Sequence, residues 1–368
     1  MVEINAAVVS EAGGPFELTE RLSLDDPRAD EIQVRVIGAG VCHTDVAFSQ
    51  RISSPQVFGH EGAGIVERVG EGVTKFSPGD RVLMSYMSCG SCRRCLRGEI
   101  AYCEQMMALN FSGRRADGTT TIHTSSGEEV GGSFFGQSSF ATHALAYERN
   151  LVHVPDEVSD ETFRILAPLG CAVQTGAGAV LQTLRPPVAT SILVGGAGGV
   201  GLSAVLGAVV SHAREVIVVD VVDERLALAK DLGATLTING KDEDVAERVR
   251  GLIPRGVDFS VDTTGNMAVI RALVESTAAG GTVGLVGGSR PGSELTLAHG
   301  GLINGPTIRG IVEGGAVPQD FIPRLVHLHL QGKFPFDRFV ETYEFGQIQQ
   351  AVDDSVHGIA VKPVLIFD

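Results

Sequence analysis

SILVGGAGGVG, residues 191–201, joins a strand-like run to a turn rich in glycine. The turn matches the pattern G-x-G-x-x-G, and the residues after it have helical character. The next strand-like run, EVIVVD, ends in an aspartate nineteen residues past the last glycine of the turn. In the dinucleotide fingerprint an acid at this distance binds the adenosine ribose, and the turn and the helix N-terminus accept the pyrophosphate. The pattern predicts dinucleotide binding by Gly196, Gly198, Gly199, Val200, Gly201 and Asp220.

Helix and strand signals alternate after this turn and predict a doubly wound parallel sheet. The run NMAVIRALVESTAAG, residues 266–280, is predicted to be helical, and GTVGLVGG, residues 281–288, is predicted to be a strand. The first 150 residues instead contain short alternating stretches such as IQVRVIGAGV, residues 32–41, which predict a β-rich domain. The chain of 368 residues is therefore predicted to be an α/β protein of two domains.

The charge of the chain limits its partners. Its formal net charge of −15 repels nucleic acids and anionic membrane surfaces, so neither is expected as a partner. The N-terminal sequence lacks the basic start and apolar core of a secretory signal, which predicts a cytoplasmic location. Residues 191–210 form a twenty-residue run without a charge, the length of a membrane span, but their glycines favour a strand, a turn and a buried helix.

The stretch CGSCRRCLRGEIAYC, residues 89–103, holds a dense cluster of cysteines. Four thiolates at this spacing can converge on one zinc ion, and a closed set of four leaves no position for substrate, so this zinc would be structural. An iron–sulfur motif is the competing interpretation, but there the fourth cysteine follows after three residues and precedes proline. Here it follows after seven residues and precedes Glu104. Four buried thiols without metal remain the other alternative. The predicted ligands are Cys89, Cys92, Cys95 and Cys103.

Two cysteines remain, Cys42 in GAGVCHTD and Cys171 in APLGCAVQTGAG. His60 lies with Glu61 at the start of the alternating run GHEGAGIVERVGEGV. Two cysteines and one histidine form the three-ligand set of a catalytic zinc whose fourth position is open. Separately, these residues would more often be core cysteines and an ordinary hydrogen-bonded histidine. Their occurrence beside a dinucleotide motif favours a second zinc site.

Together these motifs resemble the zinc-containing medium-chain alcohol dehydrogenases over nearly the whole chain. The C-terminal part, EGGAVPQDFIPRL through GIAVKPVLIF, looks most like the aryl-alcohol, or benzyl-alcohol, branch. The resemblance implies a GroES-like catalytic domain at residues 1–172 and 313–368 and a Rossmann domain at residues 173–312. It also implies a homo-oligomer, either a dimer or a tetramer.

The resemblance implies roles for individual residues. Cys42, His60 and Cys171 would hold the catalytic zinc, with Glu61 behind it as an occasional ligand or close neighbour. Asp45 would orient His60 through its other ring nitrogen, and Thr44 would pass the alcohol proton towards the cofactor ribose. Weaker implied contacts are those of His43 and Lys362 with the pyrophosphate, Val286 and Ile311 with the nicotinamide, and Ser85, Phe134 and Phe135 with the substrate. A solvated surface role for Lys362 and a core role for the two phenylalanines are alternatives.

The chain departs from the family at Ala47, where many members place a histidine that passes the proton to solvent. The implied reaction is reversible, zinc-dependent oxidation of benzyl, aryl or allylic primary alcohols to aldehydes. The expected cofactors are two zinc ions per chain and NAD, which Asp220 favours over NADP. Two alternatives stay open, a thiol-dependent formaldehyde dehydrogenase on the same fold and a non-catalytic dinucleotide-binding protein.

Overall fold

The computed structural model describes residues 1–368. The strands are β1 Val2–Val9, β2 Glu17–Leu24, β3 Glu31–Gly40, β4 Gln56–Val57, β5 Gly62–Val69, β6 Arg81–Met84, β7 Ile122–His123, β8 Glu129–Val130, β9 His143–Tyr147, β10 Leu151–His153, β11 Ser191–Gly195, β12 Glu215–Asp220, β13 Leu236–Asn239, β14 Val257–Asp262, β15 Thr277–Leu285, β16 Thr307–Gly310, β17 Val340–Glu344 and β18 Lys362–Ile366. The α-helices are α1 His43–Ser49, α2 Met106–Phe111, α3 Asp160–Ile165, α4 Ala172–Gly178, α5 Gly199–Val210, α6 Asp223–Asp231, α7 Val245–Leu252, α8 Met267–Ser276, α9 His299–Leu302, α10 Pro318–Leu330 and α11 Ile348–His357.

The chain forms two compact units. The first comprises residues 1–171, 317–327 and 340–368, and the second comprises residues 172–316 and 328–339. Both units are discontinuous in sequence.

The first unit is rich in β-structure, as its alternating stretches predict. A seven-stranded sheet has the order β10-β6-β5-β3-β18-β17, with β9 also paired to β3, and a five-stranded sheet has the order β4-β1-β2-β7-β8. Strand β3 is central and pairs antiparallel with β5, β9 and β18. Nearly all of its side chains are buried, including the polar Glu31 and Gln33, and Arg35 is half-buried.

The second unit contains a six-stranded parallel sheet with the order β13-β12-β11-β14-β15-β16. This order and the alternating helices confirm the predicted Rossmann-type fold. One local prediction is wrong, because helix α8 ends at Ser276 and residues 277–280 belong to β15. Thr277 is already extended, with φ −81° and ψ 141°, and its hydroxyl donates to the Leu273 carbonyl, which closes the last helical turn.

The uncharged run of residues 191–210 folds as strand β11, a tight turn and helix α5. Gly196 has φ +98°, a conformation that glycine adopts without strain. A Cβ atom on Gly201 would lie 1.9 Å from the Gly196 carbonyl oxygen, so only glycine fits there. No helix of the chain has both the length and the apolar character needed to cross a bilayer.

Candidate active site

The four-cysteine site (Cys89, Cys92, Cys95 and Cys103) lies in a loop with two short 3₁₀ turns. Its ligand atoms all lie within 4.8 Å of one another. Backbone amides donate to the sulfurs: Cys92 N to Cys89 Sγ at 3.3 Å, Cys89 N to Cys103 Sγ at 3.3 Å, and Gln105 N to Cys103 Sγ at 3.4 Å. The loop thus brings the four sulfurs together through its own backbone, as a tetrahedral metal site requires.

The thiols of this site differ in acidity. Burial opposes ionisation of Cys89, but the amides of Ser91 and Cys92 outweigh it and lower its pKa to about 6. Burial and the neighbouring Cys92 raise the pKa of Cys95 to about 12. A divalent cation would stabilise the thiolate forms of all four cysteines, so the donor set fits zinc.

The inner site (Cys42, His60, Glu61 and Cys171) brings together residues far apart in sequence. Its ligand atoms also lie within 4.8 Å of one another. Cys42 precedes helix α1, His60 and Glu61 precede strand β5, and Cys171 follows a 3₁₀ turn. His60 and Glu61 are fully buried, and Cys171 is 8% exposed. The structure therefore assembles every residue predicted for this site.

Asp45 connects two of these segments from its position in the first turn of α1. Its Oδ2 accepts from Cys42 N at 3.0 Å, and its Oδ1 accepts from Gly59 N at 3.0 Å and lies 2.8 Å from His60 Nδ1. Burial disfavours a charged His60, but the Asp45 carboxylate outweighs this and raises the pKa of His60 well above its usual value. Asp45 therefore fixes the His60 ring with Nε2 directed away from it.

The inner site fits a zinc ion on chemical grounds. His60 Nε2 is buried without a hydrogen-bond partner, an arrangement that is costly unless the nitrogen binds something else. Beside it, contacts with Cys171 and His60 hold the pKa of the Cys42 thiol well below its ordinary value, although burial opposes this. A low-pKa thiol and an unpaired imidazole nitrogen are the donors that zinc prefers.

Lys362 lies at the start of β18 and is only 3% exposed, so the interpretation as a solvated surface lysine does not hold. Its Nζ donates to the Val41 carbonyl at 2.8 Å and forms an ion pair with Glu61 Oε2 at 2.5 Å. Burial raises the pKa of Glu61 to about 7 against the opposing effect of this ammonium group. The pair lies next to Cys42 and His60. The implied contact of Lys362 with a pyrophosphate stays a prediction.

Two aromatic rings contact the inner site. The Phe135 ring centroid lies 4.5 Å from that of His60, and the Phe134 centroid lies 5.7 Å away. Phe134 is fully buried and Phe135 is 2% exposed. Ser85 is also fully buried, and its hydroxyl donates to the Gly170 carbonyl at 2.6 Å. These residues surround the ligands, and their contact with substrate stays a prediction.

The glycine turn of the second unit presents an open helix N-terminus. No side chain caps helix α5 at Gly198, which leaves its first amides available to an anion. Asp220 ends strand β12, where its Oδ2 accepts from Ala197 N at 2.6 Å and its Oδ1 accepts from Val221 N at 2.7 Å. The acid is thus fixed beside the turn, at the carboxyl edge of the sheet where dinucleotides bind.

The remaining predicted residues lie at the ends of their elements. Val286 follows β15 and Ile311 follows β16, at the same carboxyl edge, and Ile311 N donates to the Leu285 carbonyl. His43 is exposed and Thr44 half-buried in the first turn of α1, and the Ala47 methyl is exposed on the same helix. Position 47 therefore has no imidazole that could carry a proton to solvent.

Sequence reasoning missed Gln137 and Asn150. Gln137 is fully buried and donates from Nε2 to the carbonyl oxygens of His60 and Ser85, at 3.0 Å each. Asn150 donates to the carbonyl oxygens of Phe135 and Gly136, at 3.1 Å each. No motif marks either residue, because their partners are backbone atoms brought near only by the tertiary fold.

Comparisons with known proteins agree with this geometry. A family model described as "Alcohol dehydrogenase GroES-like domain" matches residues 28–156, and one described as "Zinc-binding dehydrogenase" matches residues 199–329. A geraniol dehydrogenase of Castellaniella defragrans is 43% identical over 371 residues, which cover 100% of this chain and 98% of that protein.

Two solved structures are similar over the whole chain. An alcohol dehydrogenase zinc-binding domain protein from Burkholderia ambifaria has a TM-score of 0.97 and 46% identity, covering 100% of this chain and 99% of its own. The benzyl alcohol dehydrogenase of Acinetobacter calcoaceticus has a TM-score of 0.95 and 40% identity, covering 100% of both chains.

Proposed function

Since the chain belongs to the zinc-containing medium-chain alcohol dehydrogenases, we propose that it oxidises benzyl-type and allylic primary alcohols to aldehydes and transfers the hydride to NAD. Two of its relatives are named for such alcohols, geraniol and benzyl alcohol. Both substrates carry the hydroxyl on a carbon next to a π-system. The substrate class of this chain is inferred from that shared chemistry.

The observation that carries the proposal is the convergence of Cys42, His60, Glu61 and Cys171 within 4.8 Å, beside two buried aromatic rings. A zinc ion held by Cys42, His60 and Cys171 would supply Lewis acidity towards the alcohol oxygen. A four-cysteine structural zinc brings the proposed content to two ions per chain.

The residues of the chain would divide the remaining tasks. Asp45 would keep the His60 ring oriented. Thr44 would receive the alcohol proton and donate its own proton towards the cofactor ribose hydroxyl, from which a proton would leave to water. Phe134 and Phe135 exclude water and contact the apolar part of the substrate. The glycine turn at residues 196–201 and Asp220 would hold the dinucleotide, which would supply a nicotinamide as hydride acceptor. The same proposal includes three further sets of contacts: His43 and Lys362 with the pyrophosphate, Val286 and Ile311 with the nicotinamide, and Ser85 with the substrate.

Further parts of the proposal concern the whole protein. We infer a cytoplasmic homo-oligomer, a catalytic domain at residues 1–172 and 313–368, and a dinucleotide-binding domain at residues 173–312. The Asp220 carboxylate would repel the extra phosphate of NADP by about 4 kcal/mol at roughly 4 Å and an effective dielectric near 20. This is an upper-end figure, and it corresponds to a preference for NAD of about a thousandfold.

The test is a comparison of kcat/KM for benzyl alcohol, geraniol and ethanol, each with NAD and with NADP. Burying about 100 Å² more apolar surface is worth about 2.5 kcal/mol, so the first two alcohols should exceed ethanol by roughly 70-fold. Equal or better efficiency on ethanol would contradict the substrate class, and equal use of both cofactors would contradict the role of Asp220. Highest efficiency with formaldehyde plus glutathione would favour the thiol-dependent alternative.

A further inference from the structure

A chain of buried hydrogen bonds runs behind the inner site. The Gln137 side-chain amide donates to the carbonyl oxygen of His60 and to that of Ser85, at 3.0 Å each. The Ser85 hydroxyl donates in turn to the Gly170 carbonyl at 2.6 Å, and Gly170 directly precedes Cys171. Gln137 and Ser85 have no exposed surface, so water does not compete for these bonds. This series of hydrogen bonds therefore connects the backbone at two ligands, His60 and Cys171.

This arrangement parallels that of Asp45, which connects Cys42 with His60. We propose that Gln137 is a second positioning residue for the catalytic metal, which fixes His60 directly and Cys171 through Ser85. With Asp45 and Gln137 both present, a series of hydrogen bonds links all three ligands. The inference rests on the proposed function, because it assumes that Cys42, His60 and Cys171 hold the zinc.

The turn that carries Gln137 is in an unusual conformation. Phe135 and Ser138 have φ values of +53° and +50°, in the left-handed region that residues with a side chain rarely adopt. Asn150 holds the turn through the Phe135 and Gly136 carbonyls, and the Ser138 hydroxyl donates to the Val57 carbonyl at 2.8 Å. Strained backbone of this kind persists where the surroundings fix it, and it clusters at functional sites. Here it directs Gln137 beneath His60 and places the Phe135 ring against the imidazole.

The chemistry of the bridge requires an amide at position 137. Two carbonyl oxygens accept from one nitrogen, and a primary amide supplies two N–H donors from the same atom. A methionine of similar length fills the space but donates to neither carbonyl. The Gln137→Met substitution therefore removes the bridge while it keeps most of the packing.

Gln33 offers a matched control in the same unit. It is 2% exposed, its Nε2 donates to Glu67 at 3.2 Å, and its Oε1 is buried without a partner, as is the Oε1 of Gln137. It lies opposite Arg68 and Leu145 in the neighbouring strands, and its side-chain hydrogen bond goes to Glu67, which is not a proposed metal ligand. Gln33→Met therefore has a comparable structural defect without a change behind the inner site.

The experiment uses the full-length holoenzyme with cobalt(II) in place of the inner-site zinc. We measure the cobalt absorption spectrum, the rate of metal release to a chelator and the melting temperature for the parent, Gln137→Met and Gln33→Met. Both variants should melt at lower temperature. Only Gln137→Met should shift the cobalt spectrum and release the metal faster, by about 10- to 100-fold, the usual effect of losing an outer partner of a ligand.

A parental spectrum and release rate in Gln137→Met would overturn the inference, whatever the change in melting temperature. If that variant does not fold, Ser85→Ala provides the same test, because it removes the hydrogen bond from the Ser85 hydroxyl to the Gly170 carbonyl. Its release rate should also rise, and an unchanged rate would overturn the inference. A parent protein that binds no metal at Cys42, His60 and Cys171 would contradict the proposed function as well, so the two failures are distinguishable.

Discussion

The four-cysteine site takes all its ligands from fifteen consecutive residues, Cys89–Cys103, whereas the inner site takes its ligands from segments between Cys42 and Cys171. The local site is held by backbone amides that donate to sulfur within the same loop. At the inner site, buried side chains contact the ligands across the fold: Asp45 beside Cys42 bonds His60, and Gln137 donates to the His60 carbonyl from 77 residues further along the chain. A local site can form as its loop closes on a metal, but a dispersed site needs the finished domain first.

Damage to the two sites should therefore have different consequences. If the four-cysteine site holds the proposed structural zinc, loss of that metal would remove an anchor of the fold, so stability should fall first. Loss of metal from the inner site leaves a framework of strands and hydrogen bonds in place, so activity should fall first.

Cys95→Ser should cause the largest change in free energy. Apparent binding energies of structural zinc are about 10–16 kcal/mol, comparable to the net stability of a domain. We expect the variant to lose one zinc ion per chain and to melt well below the parent, as measured by elemental analysis and calorimetry. An equally heat-resistant variant would mean that the loop is not a structural zinc site.

Cys171→Ser should instead remove activity while the melting temperature changes little. Lewis acidity contributes several kcal/mol to transition-state stabilisation, so turnover should fall at least about a thousandfold. Elemental analysis should again find one ion fewer than in the parent. Cys95→Ser, which should lose the ion of the other site, is the comparison that separates loss of activity from loss of stability. Residual turnover above a tenth of the parental value would show that Cys171 is not an essential ligand.

The difference between the sites also explains what the sequence could predict. Cys89, Cys92, Cys95 and Cys103 follow a spacing rule that needs no tertiary information, and the same is true of the glycine turn before α5. Cys42, His60 and Cys171 were predicted only through their conjunction with that turn and the family resemblance. The local end of helix α8 was misjudged, because strand pairing of Thr277 with Val257 overrides the helical propensity of the residues around it.

Asp45 and Glu61 were named through the family resemblance, whereas Gln137 behind the inner site was beyond prediction. Gln137 acts through two backbone carbonyls that lie 77 and 52 positions earlier in the chain. The Glu61–Lys362 pair likewise joins distant parts of the first unit, and its burial excludes the solvated surface role that was one alternative for Lys362. Contacts of this kind depend on where the strands bring the backbone, so a local pattern does not carry them.

Thr44→Val tests the proton route at the inner site. The substitution keeps the shape of the side chain and removes its hydroxyl, and positioned proton transfer is worth about 10²–10⁴ in rate. Turnover should fall by that factor with NAD affinity nearly unchanged, measured where a deuterium isotope effect shows that hydride transfer limits the rate. Near-parental turnover under that condition would contradict the route.

Ala47→His tests the same proton route by adding a side chain that can carry a proton. The Ala47 methyl is exposed in the present chain, so an imidazole there would reach solvent and offer a second exit for the proton. The pH dependence of turnover should then change between about pH 5 and 8, where imidazole titrates. A pH profile identical to that of the parent would indicate that proton release to solvent does not limit turnover.

Asp45→Asn should have the smallest effect of the series, a weakening of inner-site metal affinity by about 10- to 100-fold, with the four-cysteine metal retained. The carboxylate accepts from Cys42 N, Gly59 N and His60, and an amide has one acceptor atom fewer. Asp354→Asn is a matched control, since that buried carboxylate accepts from Tyr343 and Gln350 away from any ligand.

The pH dependence of this effect has a defined sign. Burial disfavours a charged His60, but Asp45 outweighs it, so the metal-free protein binds a proton at His60 well above the usual pKa of histidine. Protons therefore compete with zinc in the parent as the pH falls through that raised pKa. Without the carboxylate the His60 pKa falls, and competition begins only at lower pH. The affinity gap between parent and Asp45→Asn should thus be widest at alkaline pH and narrow as the pH falls, measured by chelator competition. A gap that is constant with pH would show that Asp45 acts on the metal through geometry alone.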